Sequence, residues 1–235
     1  MTYLQNHDQI ANSSRGLRCH VLTSSGRYKA LTALLLLGPG TPMLFQGQEF
    51  AASSPFCFFA DVTGELARLT CQGRAAFLAQ FPNLAHPDMQ ARLPNPTDPQ
   101  TFAGSKLDVS ERQHHAEMYT LHRDLLRLRQ TDAVFRSQRP GGMDGAVLGP
   151  EAFVLRFFGV HNNDRLLVVN LGGDLHLNPA PEPLLAPLEG MDWTLLWSSE
   201  DPRYGGDGVT PLEDEDNWHL PGHTATVLRP HTCQD

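Results

Sequence analysis

At 235 residues the chain is long enough for one large domain or two modest ones, and 40% hydrophobic residues with 12 Phe, 4 Tyr and 3 Trp exclude wholesale disorder. A formal charge of -8 and a pI near 5.7 argue against nucleic acids and anionic membranes as partners and favour a neutral substrate or small metabolite. Cys19, Cys57, Cys71 and Cys233 form no CxxC pair and no metal-ligand spacing, so reduced thiols in a cytoplasmic protein are expected.

In chain order, a short apolar and aromatic run at Thr2-Tyr3-Leu4 reads as a buried parallel strand. It delivers the polar packet Gln5-Asn6-His7-Asp8-Gln9 at its C-terminal end. A domain that opens on its functional strand leads us to expect Met1 to be an internal or mis-assigned start. A polar loop over Asn12–Arg18 follows. Ser24 or Ser25 can cap a helix from about Arg27 to Leu37, which Gly38-Pro39-Gly40 stops. That helix is apolar on most faces, as expected against a sheet. Its longest apolar run, Leu34–Leu37, is far short of the ~20 residues of a membrane span, and no signal peptide is visible.

Thr41–Phe45 reads as a second buried strand ending in Gln46-Gly47-Gln48-Glu49-Phe50, so the first segment has the pattern of one βαβ unit. Glu65–Phe81 is loosely helical, Pro82–Pro99 is irregular, and His115–Gln130 carries a helical stripe of Met118, Leu121, Leu125 and Leu128. Pro140-Gly141-Gly142 marks a change of regime. Beyond it come short β runs at 153–158, 165–171, 193–198 and 225–228, which read as a small antiparallel sandwich.

Asn6-His7-Asp8-Gln9 is an ordinary turn sequence if taken alone. Its place at a strand end, beside a second strand end bearing Gln48-Glu49, favours function. A carboxylate beside an imidazole suits sugar hydroxyls, with Asp8 accepting and His7 donating. Glycoside hydrolysis needs two more carboxyl groups, and Glu49 is the only nearby candidate. His114-His115 and the acidic run Glu213-Asp214-Glu215-Asp216 read as solvated surface, and no metal or cofactor motif is present.

Tyr3–Ile10 resembles the last catalytic strand segment of the α-amylase superfamily, and its Asn6-His7-Asp8-Gln9 ending is similar to that of malto-oligosyltrehalose trehalohydrolases. Leu34–Phe50 resembles the approach to the eighth strand and the strand itself. Pro55–Asp61, Gly64-Glu65-Leu66, Gly73-Arg74, Ser105–Asp108 and Tyr119–Arg129 continue in the family's order. The resemblance implies the C-terminal part, about strands 7–8, of a (β/α)8 TIM barrel over 1–139, followed by an antiparallel β-sandwich over 140–235.

It further implies a retaining glycosidase that releases trehalose from maltooligosyl trehalose. Asp8 would be the transition-state stabiliser. His7, Asn6, Gln9, Ile10, Ala11, Asn12, Gln48, Glu49 and Phe50 would contact the sugar. The family's nucleophilic Asp and acid Glu lie on strands this chain lacks, so the chain alone is expected to be inactive. The expected partners are a malto-oligosaccharide with a trehalosyl end and a polypeptide carrying the N-terminal part of the barrel, with no cofactor, nucleic acid or membrane.

Two departures stand out: Ala11 where relatives usually have Gly, and Val62 where they often have His. The alternatives are a non-catalytic carbohydrate-contacting or structural module, or a fragment of another relative such as a glycogen branching enzyme. Gln9 counts against the last, since branching enzymes typically have an acidic residue there.

Overall fold

The computed structural model describes residues 1–214 and 217–232. Cys233 and two members of the acidic run, Glu215 and Asp216, lie outside them. In chain order the helices are α1 (His7–Ala11), α2 (Ser25–Leu37), α3 (Gly64–Leu78), α4 (Pro82–Ala85), α5 (Pro87–Gln90), α6 (Pro99–Gly104), α7 (Glu111–His114), α8 (Ala116–Thr131) and α9 (Ala133–Ser137). The strands are β1 (Met143–Gly149), β2 (Ala152–Phe157), β3 (Arg165–Asn170), β4 (Leu175–Leu177), β5 (Met191–Ser198), β6 (Glu213–Asp214), β7 (Asn217–Leu220) and β8 (Thr224–Thr232). They fall into two compact units that interleave along the sequence. One holds residues 1–2, 23–43 and 116–235; the other holds residues 3–22 and 44–115.

In the first unit, the Ser24 hydroxyl accepts the Arg27 N–H and starts α2. The helix stops at Gly38, whose N–H still reaches Leu34. Helix ends leave carbonyls without partners, and Arg129 of α8 answers one of them and two carbonyls just past the end. Its guanidinium donates to Leu36 O at 2.8 Å, to Gly38 O at 2.9 Å and to Gly40 O. Leu35, Leu36 and Leu37 of α2 and Leu121 and Leu125 of α8 are buried where the two helices pack. Lys29, 3% exposed, lies beneath the surface and pairs with Glu200 at 3.1 Å, the kind of partner a buried ionisable group needs. Of the expected parallel strand pair, a single bridge forms, Thr2 to Pro42; the flanking residues do not extend the ladder.

The antiparallel part of this unit has a five-stranded sheet in the order β1-β2-β3-β8-β5 and a three-stranded sheet in the order β4-β7-β6. A shared core joins Val154, Leu166, Val168 and Leu228 of the larger sheet to Trp218 and Leu220 of β7. Every residue of β3 is buried, because α2 lies on one face and this core on the other. Its buried arginine, Arg165, pairs with Asp132 at 3.0 Å, while Arg156 of β2 pairs with Asp164 at 2.9 Å. Asn170 ends β3 by donating its amide to Gly173, Leu220 and Pro221 carbonyls and accepting the Gly172 N–H.

The second unit holds α1, α3 to α7 and the loops between them. Gly16 is fixed there by geometry: its φ is +62°, and a Cβ would sit 2.5 Å from the Phe56 carbonyl oxygen. No helix among the described residues is long and apolar enough to cross a membrane.

Candidate functional site

The packet Asn6-His7-Asp8-Gln9 is the first turn of a helix, not the loop at a strand end that the sequence suggests. Asn6 is the N-cap. Its side chain accepts the Gln9 N–H at 2.9 Å, and the Gln9 side chain accepts the Asn6 N–H at 3.0 Å. This reciprocal capping box occupies the two outer residues and leaves the inner two for chemistry. His7 and Asp8 project outward, 66% and 72% exposed, with Nε2 3.4 Å from Oδ1. Ile10, 2% exposed, is the apolar anchor of the turn and lies behind it.

A five-residue helix has no stability of its own, so its far end must be held. Arg74 of α3 does this. Its guanidinium donates to the Ala11 carbonyl at 2.6 Å and to Asn12 Oδ1 at 2.7 Å, a cation placed at a helix C-terminus. It also lies over the rings of Phe58 and Phe77, at 4.9 and 5.7 Å from their centroids. Burial pulls the pKa of Arg74 down, against the pull of Cys57 and Asp8, which favour the cation. Burial raises the Cys57 thiol, with Arg74 opposing. Ala11 is within the helix and Asn12 has φ −79°, so the residue found where relatives carry Gly needs no left-handed conformation.

His7, Asp8, Ala11, Asn12, Phe58 and Arg74 are among the residues lining an open groove of about 430 Å³. Its lining mixes phenylalanine rings with polar side chains, a combination suited to a neutral, hydroxyl-rich ligand. Arg74, Phe58 and Phe77 belong to it although the sequence reading did not place them in the site. The signal was present: Thr70, Arg74 and Phe77 share one face of a helix.

Gln48, Glu49 and Phe50 do not line this groove. Gln48 and Phe50 are wholly buried, and Gln48 Oε1 lies 3.4 Å from the Phe45 N–H. Glu49 pairs with Arg112 at 3.4 Å, and that guanidinium lies over Phe50. The turn is braced from beneath by Arg18, which donates to Gln46 O and Ser54 O at 2.7 Å each. Gln5 holds the neighbouring loop through the Cys19 N–H at 2.8 Å. The imidazole of His115 contacts Phe50 O at 2.9 Å. Among the described residues no set of three or more His, Cys, Asp or Glu could hold a metal ion.

Comparison with known proteins bears on the same stretch. The chain is 41% identical over 210 residues to malto-oligosyltrehalose trehalohydrolase of Deinococcus radiodurans, covering 84% of the chain and 33% of that protein. It is 38% identical over 232 residues to the Mycobacterium tuberculosis protein of the same name, covering 97% of the chain and 35% of that protein. This chain is homologous to the C-terminal region of the malto-oligosyltrehalose trehalohydrolases. It spans about a third of the length of these trehalohydrolases.

Residues 140–227 match a family described as a domain of unknown function, DUF3459. Among solved structures, a putative α-amylase from Salmonella typhimurium is 27% identical with a TM-score of 0.72, covering 97% of this chain and 34% of that one. Trehalose-6-phosphate hydrolase of Bacillus licheniformis, 16% identical with a TM-score of 0.58, covers 97% of this chain and 42% of that one. The second likeness concerns the fold alone.

Proposed function

We propose that this chain is the part of a retaining α-glycosidase that supplies one of its three carboxylates, in an enzyme releasing trehalose from maltooligosyl trehalose. In this reading residues 1–139 are the last strands and helices of a (β/α)8 barrel, and residues 140–235 are its C-terminal β-sandwich. The observation that carries the reading is the pairing of strong likeness to trehalohydrolases with an exposed His7–Asp8 pair in an aromatic-walled groove.

The chemistry follows from what each group can do. Glycoside cleavage passes through a sugar ring bearing positive charge, and a carboxylate held near that ring stabilises it. Asp8 takes that role, and it accepts hydrogen bonds from ring hydroxyls. His7 donates to a neighbouring hydroxyl and orients the ring. The capping box and the Arg74 clamp hold both side chains in register with the groove. In this reading the nucleophile and the proton donor come from the remaining strands of the barrel.

The test has two arms. The purified chain, incubated with maltooligosyl trehalose, should release no trehalose above the uncatalysed rate. A chimera in which this chain replaces the corresponding third of the Deinococcus radiodurans relative should release it. Turnover by the chain alone, or a folded but inactive chimera, overturns the reading.

A further inference from the structure

The aromatic wall does not end at the Asp8 groove. Phe59 lines that groove and also a second one of about 460 Å³, whose other walls include Phe102, Asp61, Thr97 and Asp98. Phe59 and Phe102 meet edge to face, centroids 5.0 Å apart and planes at 62°, forming an aromatic corner. Both are surface residues, Phe102 being 47% and Phe59 36% exposed. The two walls are fastened by the Ala60 N–H donating to Pro96 O at 2.8 Å. Asp98 is steadied by capping α6, its Oδ1 accepting the Gln100 N–H at 2.8 Å. Lys106 lies over the Phe102 ring at 4.8 Å.

We propose that this corner binds a glucosyl unit of an α-1,4-glucan whose other end occupies the Asp8 groove, an inference that rests on the function proposed above. A pyranose ring has an apolar C–H face and an edge of hydroxyls. The negative π faces of the corner suit the former, and the carboxylates of Asp61 and Asp98 accept from the latter. The two carboxylates among the lining residues disfavour an anion, and Lys106, beside Phe102, is not among those residues. Phe59 is common to the linings of the two grooves, so a chain spanning both is the occupant to which the proposal commits.

Calorimetric titration of the chain with maltose and with maltoheptaose tests the proposal, using Phe102→Ala and Asp61→Asn. Both positions are exposed, and a thermal melt checks that each variant stays folded. The corner should weaken maltoheptaose binding by about tenfold in Phe102→Ala, and measurably in Asp61→Asn, while maltose binding is unchanged. If the unaltered chain binds both sugars and neither variant affects maltoheptaose, this inference is overturned and the function above survives. If the unaltered chain binds neither sugar, this inference is overturned, while the chimera still decides the function above.

Discussion

Replacing Arg74 by Met removes the clamp on α1 while keeping the side chain's apolar stem against Phe58 and Phe77. Two charge-assisted hydrogen bonds are lost, of 2.6 and 2.7 Å. Such bonds contribute about 1.5–3 kcal/mol each, and water in an open groove replaces part of that. A net loss of about 2–3 kcal/mol is expected. It should be local, since a five-residue helix opens without the rest of the unit. Amide hydrogen exchange measures it at Asn12 and Ser13, whose N–H groups donate to Asp8 O and Ile10 O. Exchange there should speed up about 30- to 150-fold, while the amides of β3 keep their rates. Arg74→Lys, with the charge but not the fork, should recover a minor part. Unchanged exchange at Asn12 and Ser13, or equal acceleration in β3, would refute the clamp.

Asn170→Ala should lower stability by about 2–4 kcal/mol, because the 2%-exposed amide joins the end of β3 to three carbonyls and its oxygen takes an N–H. A fall in the urea midpoint at constant slope checks it. Gly16→Ala should destabilise by more than about 1 kcal/mol, from positive φ and from a Cβ placed against the Phe56 carbonyl. The same denaturation curve reads it. His20 gives a pH dependence: burial, then Arg18 and His115, lowers its pKa from 6.5 to about 4, with Glu111 partly opposing. The folded state then holds fewer protons than the unfolded one between these values. Stability should be fully present above pH 6.5 and decline as pH falls towards 4, by about 1–2 kcal/mol once water screening of the part-exposed ring is allowed for. His20→Gln should flatten that window; an equally steep decline in the variant would assign it to other groups.

Much of the framework was legible because local chemistry and tertiary packing agree there. Ser24 and Gly38-Pro39-Gly40 mark the ends of α2, and the stripe of α8 buries Leu121 and Leu125 as its period implies. The apolar runs at β2, β3, β5 and β8 become the strands of the larger sheet. β1 was missed because it is an edge strand: Asp144 and Gly145 can sit on it, since only β2 pairs with it. β4 and β7, three and four residues long, are too short for a period to register. In the candidate site, His7 and Asp8 were legible as side chains but not as a helix. The Asn6-x-x-Gln9 spacing is a capping-box signature that the strand-end reading passed over. The parallel ladder beside it shrinks to one bridge, since two short segments offer each other few partners. The helix face that carries Arg74 was legible, but its grip on α1 was not, because its partners are 62 and 63 residues away.

The central claim is that Asp8 is one member of a set of three carboxylates rather than a surface residue of a capped turn. The most direct measurement is kcat/KM for trehalose release by the chimera described above, with Asp8 intact and with Asp8→Asn. The Asn side chain keeps the size, removes the charge and turns one acceptor oxygen into an NH2 donor. The account predicts a fall of at least about 10²–10³-fold with the fold unchanged by thermal melt. A chimera that keeps its activity with Asn at this position contradicts it.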